Sequence, residues 1–448
     1  MSTQEIALDK LDGVVGHKSH RADAVTMLTC YVFLLMLIPA PLVVYALGSA
    51  GAPATILAVG LACWYLATRL SPARMPSTRR QPIRVAVVLF SCAIVASYIS
   101  ANRHSLSAIE QDGADVGVLL TAGWAGIALL AADGISHIER LNVLLRRVII
   151  GATIMASIAM AQFFTGLNVA KYIAIPGLTT LTPYTALISR DALNRPAATA
   201  LDPIELAAVL VMCLPIAIHQ ARFAPTGRRF RCWMQAAIIG GAVPLTLSRT
   251  AFTALAAVCL VVLPAWPKHT RRVAYIAGLA VAAAMFMVPS LLGTISTLFL
   301  QIGTDSSTTS RTSAFSLAGP FIAHDPWLGA GFDTFFPRTT FMTDDQYLSS
   351  LITTGVIGLV ALLGLFVTGW FTARSARRAA ADPQSRDLAQ ALAAAVAASA
   401  VSFASLDSFA FNIISGITFL TLGCTGALWR LTHTEPPIDS MGTSPRSL

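Results

Sequence analysis

Apolar runs of membrane-crossing length, separated by mostly short polar connections, set the pattern of this chain. About 20 apolar residues carry a helix across a ~30 Å hydrocarbon core. Such runs stand at roughly 24–47, 53–70, 83–100, 116–132, 147–165, 204–220, 273–297, 346–370, 387–406 and 409–430. A further stretch, 234–266, is too long for one straight span, since at ~1.5 Å per residue it would reach ~50 Å. The polar triplet Ser248-Arg249-Thr250 cuts it near its middle. The pattern therefore predicts two short helices joined by a tight turn, and twelve spans in all.

The positive charges select that count. With a cytoplasmic N-terminus, twelve spans put 24 of the 31 basic residues on the cytoplasmic side, as the Lys/Arg bias of cytoplasmic loops requires. A single span over 234–266 would move Lys268, Arg271 and Arg272, the Arg374–Arg386 group and the C-terminal tail to the other side. Seven basic residues remain outside: Arg103, Lys171, Arg190, Arg195, Arg249, Arg311 and Arg338. The expected fold class is all-α: a polytopic membrane helix bundle of about twelve transmembrane helices, forming a single membrane domain over 1–448. Residues 1–23 and the tail 431–448 are expected to be cytoplasmic. Two long extracytoplasmic loops, 166–203 and 298–345, carry aromatic and apolar residues and are expected to fold over the outer face, because long loops in compact domains are usually functional or disordered.

Composition agrees with this pattern. The 448 residues are 55% hydrophobic and 12% charged, with mean hydropathy +0.68, whereas soluble domains carry about 25% charged residues. The net charge of +9 is spread between apolar segments, so it reads as topology and not as a nucleic-acid face. The seven cysteines lie in or beside apolar runs without CxxC or Cys/His spacing, which excludes a disulfide framework or zinc site and leaves them as small core residues. No small-residue cleavage site follows the first apolar run, so that run is expected to stay as an anchor.

Polar residues at the ends of apolar helices are the candidates for chemistry. In RPAATALDPIELA, Asp202, Pro203 and Glu205 form a helix start. Arg195 is not explained by capping and is either solvated or part of a site. Arg249, in the turn between two short helices, either snorkels to the outer headgroups or faces protein and a water-filled cavity, where a charge is tolerated. Interrupted helices commonly build binding sites. Ser313 to Ala323 has the look of a short amphipathic helix with Arg311 at its beginning. The Asp325-Pro326 pair and Gly329-Ala330-Gly331 read as turns. His324 and Trp327 read as packing or interfacial residues. Asp344 and Asp345 precede an apolar helix: one carboxylate suffices to cap it, and the other is left at the outer mouth.

Four of these stretches together resemble the integral-membrane O-antigen ligase and O-antigen polymerase superfamily, over about residues 195–365. They are Arg195 with DPIELA, LSRTA at 247–251, Arg311 with HDPWLGAGFDTF at 324–335, and DDQYLSSLITTGVIGLV at 344–360. The resemblance implies a glycosyltransferase of the cytoplasmic (inner) membrane. It would act at the outer face on a glycan donor linked to polyprenyl diphosphate, with a glycan or glycolipid acceptor. It implies inversion at the sugar carbon, no metal and no cofactor. Further partners would be the lipid bilayer and other polysaccharide-assembly proteins.

Arg195 and Arg249 would hold the diphosphate, since guanidinium groups bind phosphate oxygens in pairs. Arg311, with Arg338, would bind substrate or shape the loop. Asp344 would orient the acceptor hydroxyl and take its proton. Asp345 and Tyr347 would assist binding, although Tyr347 also suits an interfacial anchor. Ligases of the family typically carry histidine where this chain has Asp344, which makes it similar to the polymerase branch. A ligase that moves finished polymer to a lipid or protein, and a secondary transporter or flippase, are the alternatives.

Overall fold

A computed structural model describes residues 23–70, 81–103, 105–181, 188–190, 193–287, 293, 294, 296, 306–335 and 343–434. In chain order the helices are α1 (Ala24–Leu37), α2 (Pro53–Leu70), α3 (Pro82–Ala101), α4 (Ala108–Gly134), α5 (Ile138–Thr165), α6 (Pro203–Phe223), α7 (Thr226–Leu245), α8 (Arg249–Val262), α9 (Lys268–Phe286), α10 (Ser306–His324), α11 (Gln346–Thr353), α12 (Gly355–Ala379), α13 (Pro383–Phe403) and α14 (Asn412–Thr434). Among the described residues there are also four short strands: β1 (Leu42–Val43), β2 (Thr179–Thr180), β3 (Ile188–Arg190) and β4 (Leu193–Arg195).

The all-α membrane bundle follows from these elements. Among the described residues, seven helices are long and apolar enough to cross a membrane: α2, α3, α4, α5, α6, α12 and α14. Helices α1 and α8 are apolar but shorter. The first expected span, 24–47, is helical only to Leu37, beyond which the chain turns into β1 and a short 3-10 segment. The expected span 346–370 is two helices, α11 and α12, broken at Thr354–Gly355. The break expected within 234–266 sits at 246–248, between α7 and α8, but α7 begins at Thr226 and runs 20 residues, so only α8 is short.

Local sequence explains where the helices begin. Ser107 and Glu110 form a reciprocal capping box at α4, satisfying backbone N–H groups that have no intrahelical partner. Asp202 Oδ1 accepts from the Ile204 N–H at 2.7 Å, with Pro203 at the first helical position of α6. Glu205, fully buried, ties two helices together: it accepts from the N–H of Leu201 at 2.9 Å and, across the bundle, from that of Ile413 at 2.8 Å at the start of α14. Helices α6 and α14 are central, with most of their apolar length buried.

The loop after α5 is anchored to neighbouring helix ends. β2 pairs antiparallel with β1, and β3 with β4. The Ala198 N–H donates to Gln162 Oε1 at 2.7 Å, and the Thr199 hydroxyl to the Met36 carbonyl at 2.6 Å. These bonds hold Arg195, the last residue of β4, beside the start of α6. The cysteines divide: Cys213, Cys232 and Cys424 are buried, whereas Cys30, Cys63, Cys92 and Cys259 lie on the outside of the bundle. The latter four are therefore not core residues. A thiol is apolar enough for a lipid-facing position.

Candidate active site

The site is assembled from the turn before α8, the strand end at Arg195, the start of α11 and the connection between α13 and α14. Thr246, Leu247 and Ser248 are buried, and Leu247 has φ 50°, so the α7–α8 turn lies inside the protein. Arg249, half-buried, opens α8 from that turn. Arg195 reaches the same turn: its Nε donates to the Thr246 carbonyl at 3.3 Å. Two arginines separated by more than fifty residues therefore flank one buried turn.

From this turn, a chain of polar contacts leads to the acids. Ser405 Oγ donates to Thr250 Oγ1 at 2.8 Å. Two residues on, Asp407 is hydrogen-bonded by Ser349 of α11. Asp345 is the cap of α11, its Oδ1 accepting from the N–H of Tyr347 at 2.8 Å and of Leu348 at 3.4 Å. Its neighbour Asp344, half-buried, makes no hydrogen bond among the described residues. Tyr347 donates its hydroxyl to the Ala400 carbonyl at 2.7 Å, which joins α11 to α13 and places that hydroxyl in bundle packing.

Asp407 and Asp333 were not singled out in the sequence, yet both belong to this mouth. The Asp407 carboxyl is pushed up to about 7 by burial first and then by the charges of Asp333, Asp344 and Asp345, against the Ser349 hydrogen bond. Asp333 is also raised to about 7, by burial and then by Asp112. Residue 333 is nonetheless exposed at its surface, so its carboxyl is crowded by neighbouring segments without being sealed from water. Beneath lies an aromatic floor: Phe409 contacts Trp124, Phe403 and Phe332 at 5.0, 5.4 and 5.6 Å between ring centroids. Such a floor removes water from nearby carboxylates and disfavours their charge. The one sequence signal for Asp333 was its place in the GAGFDTF turn; Asp407 follows an apolar run with no motif of its own.

Segment 306–335 is fixed onto the α11–α12 break. Ala314 and Ala318, one turn apart on α10, pack against Leu348 and Ile352. The N–H groups of Ala330 and Gly331 donate to the Ile352 and Thr353 carbonyls at 3.1 and 2.8 Å, and that of Val356 to Pro326 at 2.9 Å. Gly329 (φ 68°) and Gly355 (φ 64°) allow this: a Cβ on either would stand 2.4 Å from backbone of the opposing segment. A left-handed residue held that close to another backbone has to be glycine. Asp333, at φ 62°, is a non-glycine in the same region, and such strain often accompanies functional positions.

The other expected residues are less fully placed. Arg311 lies in the second turn of α10, and Arg338 lies outside the described residues. Trp327 is 67% exposed, as an interfacial residue would be, and His324 is exposed beside Asp325 at 2.7 Å. Among the described residues, no group of three His, Cys, Asp or Glu is placed to hold a metal ion.

Residues 234–363 match the family model described as O-antigen ligase. That segment takes in the α7–α8 turn with Arg249, the PWLGAG docking and the Asp344–Tyr347 stretch, and stops short of Arg195. No curated protein matches the chain.

Proposed function

We propose, from the match of residues 234–363 to the family model described as O-antigen ligase, that this chain polymerises glycan repeat units carried on polyprenyl diphosphate. The observation that carries this reading is the convergence of Arg195 and Arg249 on one buried turn, joined by hydrogen bonds to a group of carboxylates. Bond cleavage at the sugar carbon moves negative charge onto the diphosphate. Fixed guanidinium groups in a partly dry site favour that state over the ground state. Arg195 and Arg249 therefore bind the diphosphate, and Arg311 and Arg338 are assigned to substrate binding.

On the opposite side of the donor, an acceptor hydroxyl must be oriented and must lose a proton. Asp344, left over from capping, orients it. Asp407, with its carboxyl near 7, is matched to take a proton at neutral pH. The attack is direct and inverting, and no metal is required.

Aspartate at position 344 favours chain growth over ligation. The deciding experiment is the glycan profile of cells with and without the gene, with carrier-linked and surface-attached material separated on a gel. Loss of the polymer ladder with single repeat units remaining supports a polymerase. Full-length polymer accumulating on the carrier overturns that in favour of a ligase.

A further inference from the structure

At the far end of the same helices lies a second cationic cavity. Helix α6 starts beside Arg195 and runs 21 residues, about 30 Å at 1.5 Å per residue. At its other end a cavity of about 430 Å³ opens between the start of α5, the end of α6 and the start of α7. Arg146, Arg228 and Arg231 line it, together with Asn142, Gln220 and Gln235. No carboxylate is among its lining residues. Asp387 of α13 is engaged by Arg222 and by His219 Nδ1 at 2.8 Å, and Glu139, in the first turn of α5, is not among the lining residues. The side chains of the three lining arginines make no ion pair or hydrogen bond among the described residues.

Arginines at a helix end could be solvated or could face lipid headgroups without forming a site. Gln220 argues against that reading. Both its amide nitrogen and its amide oxygen are sealed from water and have no hydrogen-bond partner. A buried amide left unmet costs roughly 1–3 kcal/mol, and buried polar side chains are nearly always satisfied. Three guanidinium groups without an ion pair around one cavity, beside an unmet amide, suit an anion that also carries a hydroxyl: its oxygens accept from arginine, and a rotation of the Gln220 amide into the cavity would let Nε2 donate to it and Oε1 accept from its O–H.

We propose that this cavity binds a hydroxyl-bearing phosphate ester, at a site separate from the glycan-transfer site. The shared chemistry can come from a glycerol-phosphate lipid headgroup or from a soluble phosphate ester. The test uses the full chain in nanodiscs and measures thermal stability and binding by two probes, phosphatidylglycerol titrated into phosphatidylcholine discs and soluble glycerol phosphate. The expected result is saturable binding of at least one probe, weakened tenfold or more by Arg228→Ala combined with Arg231→Ala. Response to the lipid alone assigns the headgroup, and competition by glycerol phosphate assigns the soluble ester.

Gln220→Leu is the second variant. It is expected to lose binding while melting higher than the parent in discs without the anion, because the unmet amide is gone. The arginine pair is exposed, so its removal is compatible with folding and keeps the test decisive. Absence of saturable binding with both probes, or unchanged binding in both variants, would overturn the proposal.

Discussion

Arg195 and Thr246 meet through one hydrogen bond, guanidinium Nε to backbone carbonyl at 3.3 Å. That bond fixes the arginine to the turn that presents Arg249. It also makes the two arginines a unit, so their losses should not add. Arg195→Ala and Arg249→Ala are each expected to lower glycan transfer at least a hundredfold while the protein still extracts as a monodisperse species. Arg195→Lys should restore little, because an ammonium cannot hold the carbonyl and a phosphate with one planar fork. Normal activity in either alanine variant would remove the diphosphate assignment.

The two adjacent acids should separate cleanly. Asp345→Ala is expected to cost about 1 kcal/mol of stability through the lost cap, whereas Asp345→Asn caps nearly as well and should be close to silent. Asp344→Asn should leave the melting temperature unchanged and reduce transfer tenfold or more. Equal, mild effects on activity from both amide variants would return Asp344 to a structural role.

The pH profile tests Asp407. Its carboxyl titrates near 7 in the folded protein, against about 3.9 in an unfolded chain, so the folded state binds the extra proton between those values. Stability then falls as pH rises from about 4 through about 7 and levels off above. Asp407→Asn, which resembles the protonated acid, should therefore melt higher than the parent at pH 8, with the gap closing toward pH 4. If ionised Asp407 takes the acceptor proton, activity in the parent rises through pH 7. The variant loses that limb together with most of its activity. An unchanged limb in a residually active Asp407→Asn variant would point to another base.

The docking of segment 306–335 gives a stability test. Gly329→Ala and Gly355→Ala each place a Cβ 2.4 Å from opposing backbone at positive φ. Strain of this kind costs roughly 1–3 kcal/mol before the clash is counted. Both variants should lose transfer activity together with thermal stability. Gly364→Ala, where a Cβ meets nothing within 4 Å, is the matched control and should be near neutral.

Metal independence is checked by chelation. Transfer in purified vesicles is expected to persist in excess chelator, and its loss with recovery on adding a divalent cation would overturn that element of the mechanism.

The sequence by itself determined the bundle, because burying backbone in hydrocarbon leaves helices few alternatives and hydropathy marks where they run. It also located the interrupted pair at 234–266, since Ser248-Arg249-Thr250 cannot sit unnoticed inside an apolar run, and it marked Arg195, Arg249 and Asp344 as polar residues in need of a reason. Tertiary structure alone decided which of two equivalent carboxylates caps α11. Propensity treats Asp344 and Asp345 alike, and only backbone geometry aims the oxygen of Asp345 at the Tyr347 N–H. It alone broke the expected span 346–370, where Gly355 accommodates the Trp327 carbonyl. It alone brought Asp333 and Asp407 into the site: their raised protonation comes from desolvation and then from neighbouring carboxylates, Asp112 for Asp333 and Asp333 with Asp344 and Asp345 for Asp407, and those depend on distances between segments far apart in the chain.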